Sequence, residues 1–101
     1  MYLINCLSFF NSEIALDIDL DAAVMHAIIS HSFWIISQDI TSDKFINFGD
    51  KRFIKLSIKR LVELLGIWKL ENIIHVFHDL EDKKYISLIK EKDEILVSIL
   101  K

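Results

Sequence analysis

Residues 57–82 read SIKRLVELLGIWKLENIIHVFHDLED, and residues 83–99 continue KKYISLIKEKDEILVSI. Ser57 is a helix-capping residue type, and Ile58, Leu61, Val62 and Leu65 recur after it at helical spacing as far as Gly66. Glycine tolerates the left-handed backbone that ends many helices, so the first helix should stop there. Ile67 and Trp68 fill the turn that follows. A second helix is expected from about Lys69 to Asp82, with Leu70, Ile73, Ile74, Phe77 and Leu80 as its core face. Beyond it, Tyr85-Ile-Ser-Leu-Ile and Ile95-Leu-Val-Ser-Ile flank the charged turn Glu91-Lys-Asp-Glu, the pattern of a β-hairpin.

Helix, tight turn, helix and charged hairpin, in that order, outline a winged helix-turn-helix, with motif helices over about 57–82 and a wing over about 85–99. Upstream, Lys44 to Phe48 and Lys51 to Leu56 read as two short strands joined at Gly49-Asp50, where glycine suits the first position of a type II′ turn. One of these strands should pair with the C-terminal hairpin. Asp19 or Asp21 should cap a helix from about Leu20 to Ser37, and Asn11 or Ser12 should start a short helix through Leu16. The first ten residues are a short strand or an apolar lead-in, two readings that a short apolar run leaves open. The expected fold class is mainly α with a small antiparallel β-sheet. With no proline, two glycines and no repeat, nothing marks a linker, and 101 residues suit a single domain over 1–101.

Hydrophobic residues make up 52% of the chain and charged residues 27%, enough apolar content for a packed core. Cys6 is the only cysteine, which excludes an internal disulfide and fits a reduced, cytoplasmic setting. It is expected to be a small buried apolar residue. No basic residue precedes Lys44, so a secretory signal is not expected. The longest charge-free run, Ala22 to Gln38, is interrupted by histidines, serines and a glutamine, and reads as too short and too polar for a membrane span.

The helix over 20–37 carries two apolar stripes. One holds Leu20, Ala23, Val24, Ala27, Ile28, His31, Trp34 and Ile35, the other Ala22, Met25, Ile29, Phe33 and Ile36. Only a wedge with His26, Ser30 and Ser37 is polar. A helix apolar almost all round is covered on more than one side. Met25, Ile29, Phe33 and Ile36 are therefore the expected homodimer interface, with cover by the N-terminal segment as the alternative.

Charge is unevenly spread. Residues 1–43 hold six acids and no base, whereas residues 44–101 hold twelve bases and nine acids. The outward face of the second motif helix carries Glu71, Asn72, His75, Asp79 and Asp82, with Lys69 and Val76 on its flank. Carboxylates are repelled by phosphate, so Asn72 is the single expected base reader there. Lys51, Arg52, Lys55, Lys59 and Arg60 form a basic cluster with no acid between Asp50 and Glu63. Phosphate contacts are expected from this cluster, together with Lys69 and Asn72, with an ordinary solvated face as the alternative. The acidic face of Glu71, His75, Asp79 and Asp82 is the expected surface for a basic protein partner.

Three stretches carry a family resemblance. Leu20-Asp-Ala-Ala-Val-Met-His-Ala-Ile-Ile-Ser-His-Ser-Phe-Trp is similar to a long aromatic-ended helix, and after a strand region comes Ser57-Ile-Lys-Arg-Leu-Val-Glu-Leu-Leu-Gly-Ile. The second motif helix then ends in Asp79-Leu-Glu-Asp-Lys-Lys-Tyr-Ile. Together these resemble the N-terminal winged-helix domains of phage and plasmid replication initiators, including the DnaD-like primosomal proteins, over about two thirds of the chain. The resemblance implies oligomerisation and origin or partner binding. In such families a separate C-terminal domain often binds single strands or helicase-loading proteins. Here the sequence ends after the wing, which with the acidic helix turns the expectation toward an adaptor or inhibitor.

No Gly-rich phosphate loop, His-Glu-x-x-His pattern, paired-cysteine motif or nucleophile elbow occurs. His75 and Asp79 lie i, i+4 near His78, but no second ligand set points to zinc. His31 reads as a hydrogen-bonded core histidine, and Trp34 and Trp68 as core-filling rings. The expectation is a non-catalytic, cofactor-free, DNA-associated regulatory or replication-related protein. The alternative is a protein-interaction module or phage-encoded inhibitor that uses the acidic surface.

Overall fold

Side-chain caps set the starts of three of the four described helices. The Asn11 Oδ1 accepts from the Glu13 N–H at 2.9 Å and opens α1, Ser12–Asp17. Asp19, rather than Asp21, caps α2, Leu20–Ser37, by accepting from the Ala22 N–H at 2.8 Å. Each oxygen satisfies a donor that the first helical turn leaves unpaired. The coordinates are those of a computed structural model that describes residues 9–38, 45–66, 68–91 and 94–100. The expectations for Cys6, the first eight residues, Lys44, Ile67, Lys92 and Asp93 lie outside the described residues. The chain divides into two compact units, Met1–Ser42 and Asp43–Lys101.

In the first unit α1 packs on α2, with Ile14 fully buried. Burial in α2 follows position along its axis rather than angle around it. The middle of the helix is buried at Ala22, Ala23, Met25, His26, Ala27, Ile28, Ile29 and His31, while Leu20, Trp34 and Ile35 near its ends are exposed. His26, expected on a polar wedge, is only 5% exposed, and its Nδ1 lies 3.5 Å from the Ser30 Oγ. His31 is buried among rings, 5.5 Å from Phe9 and 6.1 Å from Trp34 between centroids.

The second unit is built on a four-stranded antiparallel sheet flanked by two helices. Strand β1, Ile46–Phe48, pairs with β2, Lys51–Ser57, across the two-residue turn Gly49-Asp50. Gly49 has φ 63 while Asp50 stays at negative φ, as a type II′ turn requires. Ser57 ends β2 and caps α3, Ile58–Leu65, accepting from the Arg60 N–H at 3.3 Å. Gly66 closes α3 at φ 54, its N–H on the Val62 carbonyl at 3.1 Å. Helix α4 spans Leu70–Asp82, and β3, Ile86–Lys90, pairs with β4, Glu94–Ile99, in a register running from Ile86↔Ile99 to Lys90↔Ile95. The Glu91 N–H donates to the Glu94 carbonyl at 2.9 Å and closes that hairpin.

The sheet order is β1-β2-β4-β3. β2 therefore lies beside β4, with Ile54↔Val97 and Leu56↔Ile95 in register. The face bearing Ile54, Ile86, Ile95 and Val97 is buried, and the core lies between it and α3 and α4, through Leu61, Leu65, Ile73, Phe77 and Leu80. The core face of α4 differs from the expected one. Ile73, Val76, Phe77 and Leu80 are buried, whereas Leu70 is 47% exposed and Ile74 half-buried. At 3.6 residues per turn the buried stripe is turned about 50° toward Val76.

The end of α4 is a left-handed cap built on an unfavourable residue. Lys84 has φ 62, the Tyr85 N–H donates to the Leu80 carbonyl at 3.0 Å, and the Lys84 N–H donates to the Glu81 carbonyl at 3.0 Å. These are the paired reverse bonds of a helix C-terminus that normally uses glycine. A side chain in left-handed backbone costs about 1–2 kcal/mol. Lys84→Gly is therefore expected to stabilise the second unit by about 1 kcal/mol, less than the full strain because glycine adds freedom to the unfolded chain. Urea denaturation of the two proteins measures it, and an unchanged or lowered midpoint would show that the cap is not strained.

Candidate functional site

The basic residues come from β2 and the first turn of α3. Strand alternation sends Lys51 and Lys55 to one face of the sheet, roughly 13 Å apart along the strand. It sends Arg52 to the other. Arg52 is exposed there, with its guanidinium carbon 4.6 Å from the centre of the Phe45 ring, a cation–π contact. The five residues expected to act as one cluster are thus not one patch, because the period of a strand is two. Phe53, between Lys51 and Lys55, is buried and meets Phe48 edge-on at 5.6 Å.

Lys59 and Arg60 are exposed in the first turn of α3, where no acidic residue stands. Neither they nor Lys51 and Lys55 have a carboxylate within 4.0 Å among the described residues. Cations at a helix N-terminus oppose the positive end of the helix dipole, an effect of about 0.3–1 kcal/mol per charge at exposed ends. Their placement lowers the stability of α3, and an anion over that turn reverses the sign. Lys69 precedes α4 as its cap residue, exposed and without a side-chain capping bond, and Asn72 is exposed in the first turn of α4.

The outer face of α4 is acidic, as the spacing predicts. Glu71, His75 and Asp82 are exposed, and the Asp79 side chain is 29% exposed. His75 Nε2 lies 3.3 Å from Asp79 Oδ2, so these two groups engage each other. Among the described residues no three His, Cys, Asp or Glu side chains gather as a set of metal ligands.

Two features escaped the sequence reading. The first is Glu81, whose Oε2 accepts the Leu88 N–H at 3.2 Å. Leu88 lies on β3, the outer strand of the sheet, and the carboxylate satisfies a backbone donor on that edge. The partners are seven residues apart across a turn, a spacing with no local signature. The second is an open groove of about 1050 Å³ bounded by α3, α4 and the turn end of the β3–β4 hairpin. Ile58, Val62, Leu70 and Ile74 form its apolar floor. Lys59, Glu63, Lys90, Glu91 and Glu94 stand along its rim. A second cavity of about 20 Å³ shares Ile58, Ile74 and Lys90 with the groove and is lined otherwise by Ile73, Phe77, His78, Leu88 and Ile95. The spare apolar positions of α4, Leu70 and Ile74, were the available signal, since its core stripe is complete without them.

Of the residues expected at a dimer interface, Met25 and Ile29 have no exposed surface within the single chain. They are enclosed with the rest of the middle of α2, and so offer nothing to a second chain. Phe33 and Ile36 are half-buried, and beside them Trp34 and Ile35 are 50% and 46% exposed. Helix α2 is 18 residues long with a mean hydropathy of 1.3, enough by length and composition to cross a membrane, although 44% of it is buried in the chain. A scan against protein-family models finds no match, and searches of curated proteins and of solved structures find none.

Glu81 is expected to support the sheet edge and no binding surface. A hydrogen bond to a charged acceptor contributes about 1.5–3 kcal/mol, less where water reaches it. Glu81→Ala should lower stability by about 1 kcal/mol and speed amide exchange at Leu88 ahead of its strand neighbours. Unchanged exchange at Leu88 would show that the carboxylate does not protect it.

Proposed function

We propose that residues 43–101 form a winged helix-turn-helix that associates with nucleic acid through phosphate contacts and catalyses no reaction. The order β2, α3, α4, β3, β4 supports the fold reading. So does the pairing of β2 with β4, which sets the strand before the first motif helix beside the last strand of the wing. The observation that carries the binding reading is that Lys51, Lys55, Lys59 and Arg60 have no carboxylate partner among the described residues. Two of these cations stand where they weaken their own helix, a cost that a bound phosphate offsets. Base recognition by α4 forms no part of the proposal, because Glu71, Asp79 and Asp82 surround Asn72 with repulsive charge. Self-association is proposed through the C-terminal end of α2, where Phe33, Trp34, Ile35 and Ile36 retain apolar surface.

A second reading rests on the same acidic face. Exposed Glu71 and Asp82, with Asp79 held against His75, suit docking on a basic protein surface, as an adaptor or an inhibitor of a nucleic-acid machine.

Fluorescence polarisation with labelled double- and single-stranded DNA at low and moderate salt separates the two. Under the first reading binding is salt-sensitive. Replacing Lys55, Lys59 and Arg60 by alanine weakens it at least about tenfold and lowers the salt slope by up to about 3. Absence of binding at low salt removes the first reading. Replacing Glu71, Asp79 and Asp82 by lysine raises DNA affinity under the first reading and destroys partner docking under the second.

A further inference from the structure

We propose that the groove between α3, α4 and the turn end of the β3–β4 hairpin receives a cationic amphipathic helix from another protein. Four apolar side chains, Ile58, Val62, Leu70 and Ile74, lie together on its floor, and Leu70 is 47% exposed. They line a concave, charge-rimmed groove, the form that binding sites commonly take. A small cavity of about 20 Å³, room for one group the size of a methyl or a water, shares Ile58 and Ile74 with that floor and is lined otherwise by Ile73, Phe77, His78, Leu88, Lys90 and Ile95. The groove therefore has a floor for two or three side chains.

Charge selects the occupant. Glu63, Glu91 and Glu94 stand on the rim against Lys59 and Lys90, and Glu71 follows Leu70 on the exposed side of α4. On the rim itself three carboxylates face two ammonium groups, so a helix with lysine or arginine beside its apolar stripe meets net attraction. A helix fits better than a strand. Strand addition needs an unpaired sheet edge, and on β3 the Leu88 N–H is already held by Glu81. A channel walled by two helices accepts a third by seating side chains at i, i+3 or i+4, and i+7.

The test uses the full chain and a fluorescein-labelled peptide of about 16 residues, a little over four helical turns, with leucines on one face and lysines and alanines elsewhere. One control replaces the lysines with glutamates, and another scrambles the order so that the leucines share no face. The lysine peptide is expected to bind in the micromolar range, and both controls at least about tenfold more weakly. Leu70→Lys should weaken binding about tenfold or more, and Glu63→Lys with Glu91→Lys about threefold or more. Leu70 lies outside the core, so its variant should fold, and ¹H–¹⁵N spectra of each variant verify that. In those spectra the peptide should shift amides of α3 and the first turns of α4. Failure of the lysine peptide to bind up to millimolar concentration overturns the proposal. So does equal binding of the glutamate peptide, or binding untouched by Leu70→Lys. A dimer in sedimentation that disappears with Leu70→Lys assigns the groove to a second copy of this chain and overturns it as well.

Discussion

The pairing of β2 with β4 is the constraint on which the second unit depends. It joins residues 54–57 to residues 94–97, across the whole of α3, α4 and β3. Ile54 and Val97 face each other with no exposed surface, so the ladder and the core are completed by the same pair. Closing a loop of that length carries a large entropy cost that only non-local burial offsets. Once β2 is fixed, Ser57 has no freedom left. It ends a strand and caps a helix at one position, and that sets where Lys59 and Arg60 project.

Local chemistry was legible in the sequence wherever both partners lie within a few residues. Asp19, Ser57, Gly49 and Gly66 each act within four residues of themselves, and the elements they bound begin or end where expected. Facing was less legible. On α4 the apolar residues at 70, 73, 74, 76, 77 and 80 cover nearly half the circumference, so periodicity admits more than one core face. The sheet then chose the side with Val76 and left Leu70 to the groove. On α2 no angle distinguishes inside from outside, and Met25 and Ile29 read equally well as interface or as interior; they are interior within the single chain.

The candidate binding residues show the same division. Lys51, Arg52 and Lys55 are neighbours in sequence, yet alternation places the arginine on the opposite face, against Phe45. The acidic character of α4 survives because a helix surface keeps residues three and four apart together. Glu81 lies about 100° round the helix from Asp82 and about 160° from Asp79, on the side of Ile74, and serves the backbone of β3. Charge on one helix thus divides between surface and scaffold; spacing separates the two sides, and the partner on β3 shows what Glu81 holds.

The division into two units has a practical consequence for optical study. The chain holds two tryptophans, Trp34 in the first unit and Trp68 in the second. Trp34 is half exposed beside His31, and Trp68 is partly buried in the turn before α4. Each unit therefore carries its own intrinsic fluorophore. A pair of single-tryptophan proteins resolves the emission of one from the other without any added label.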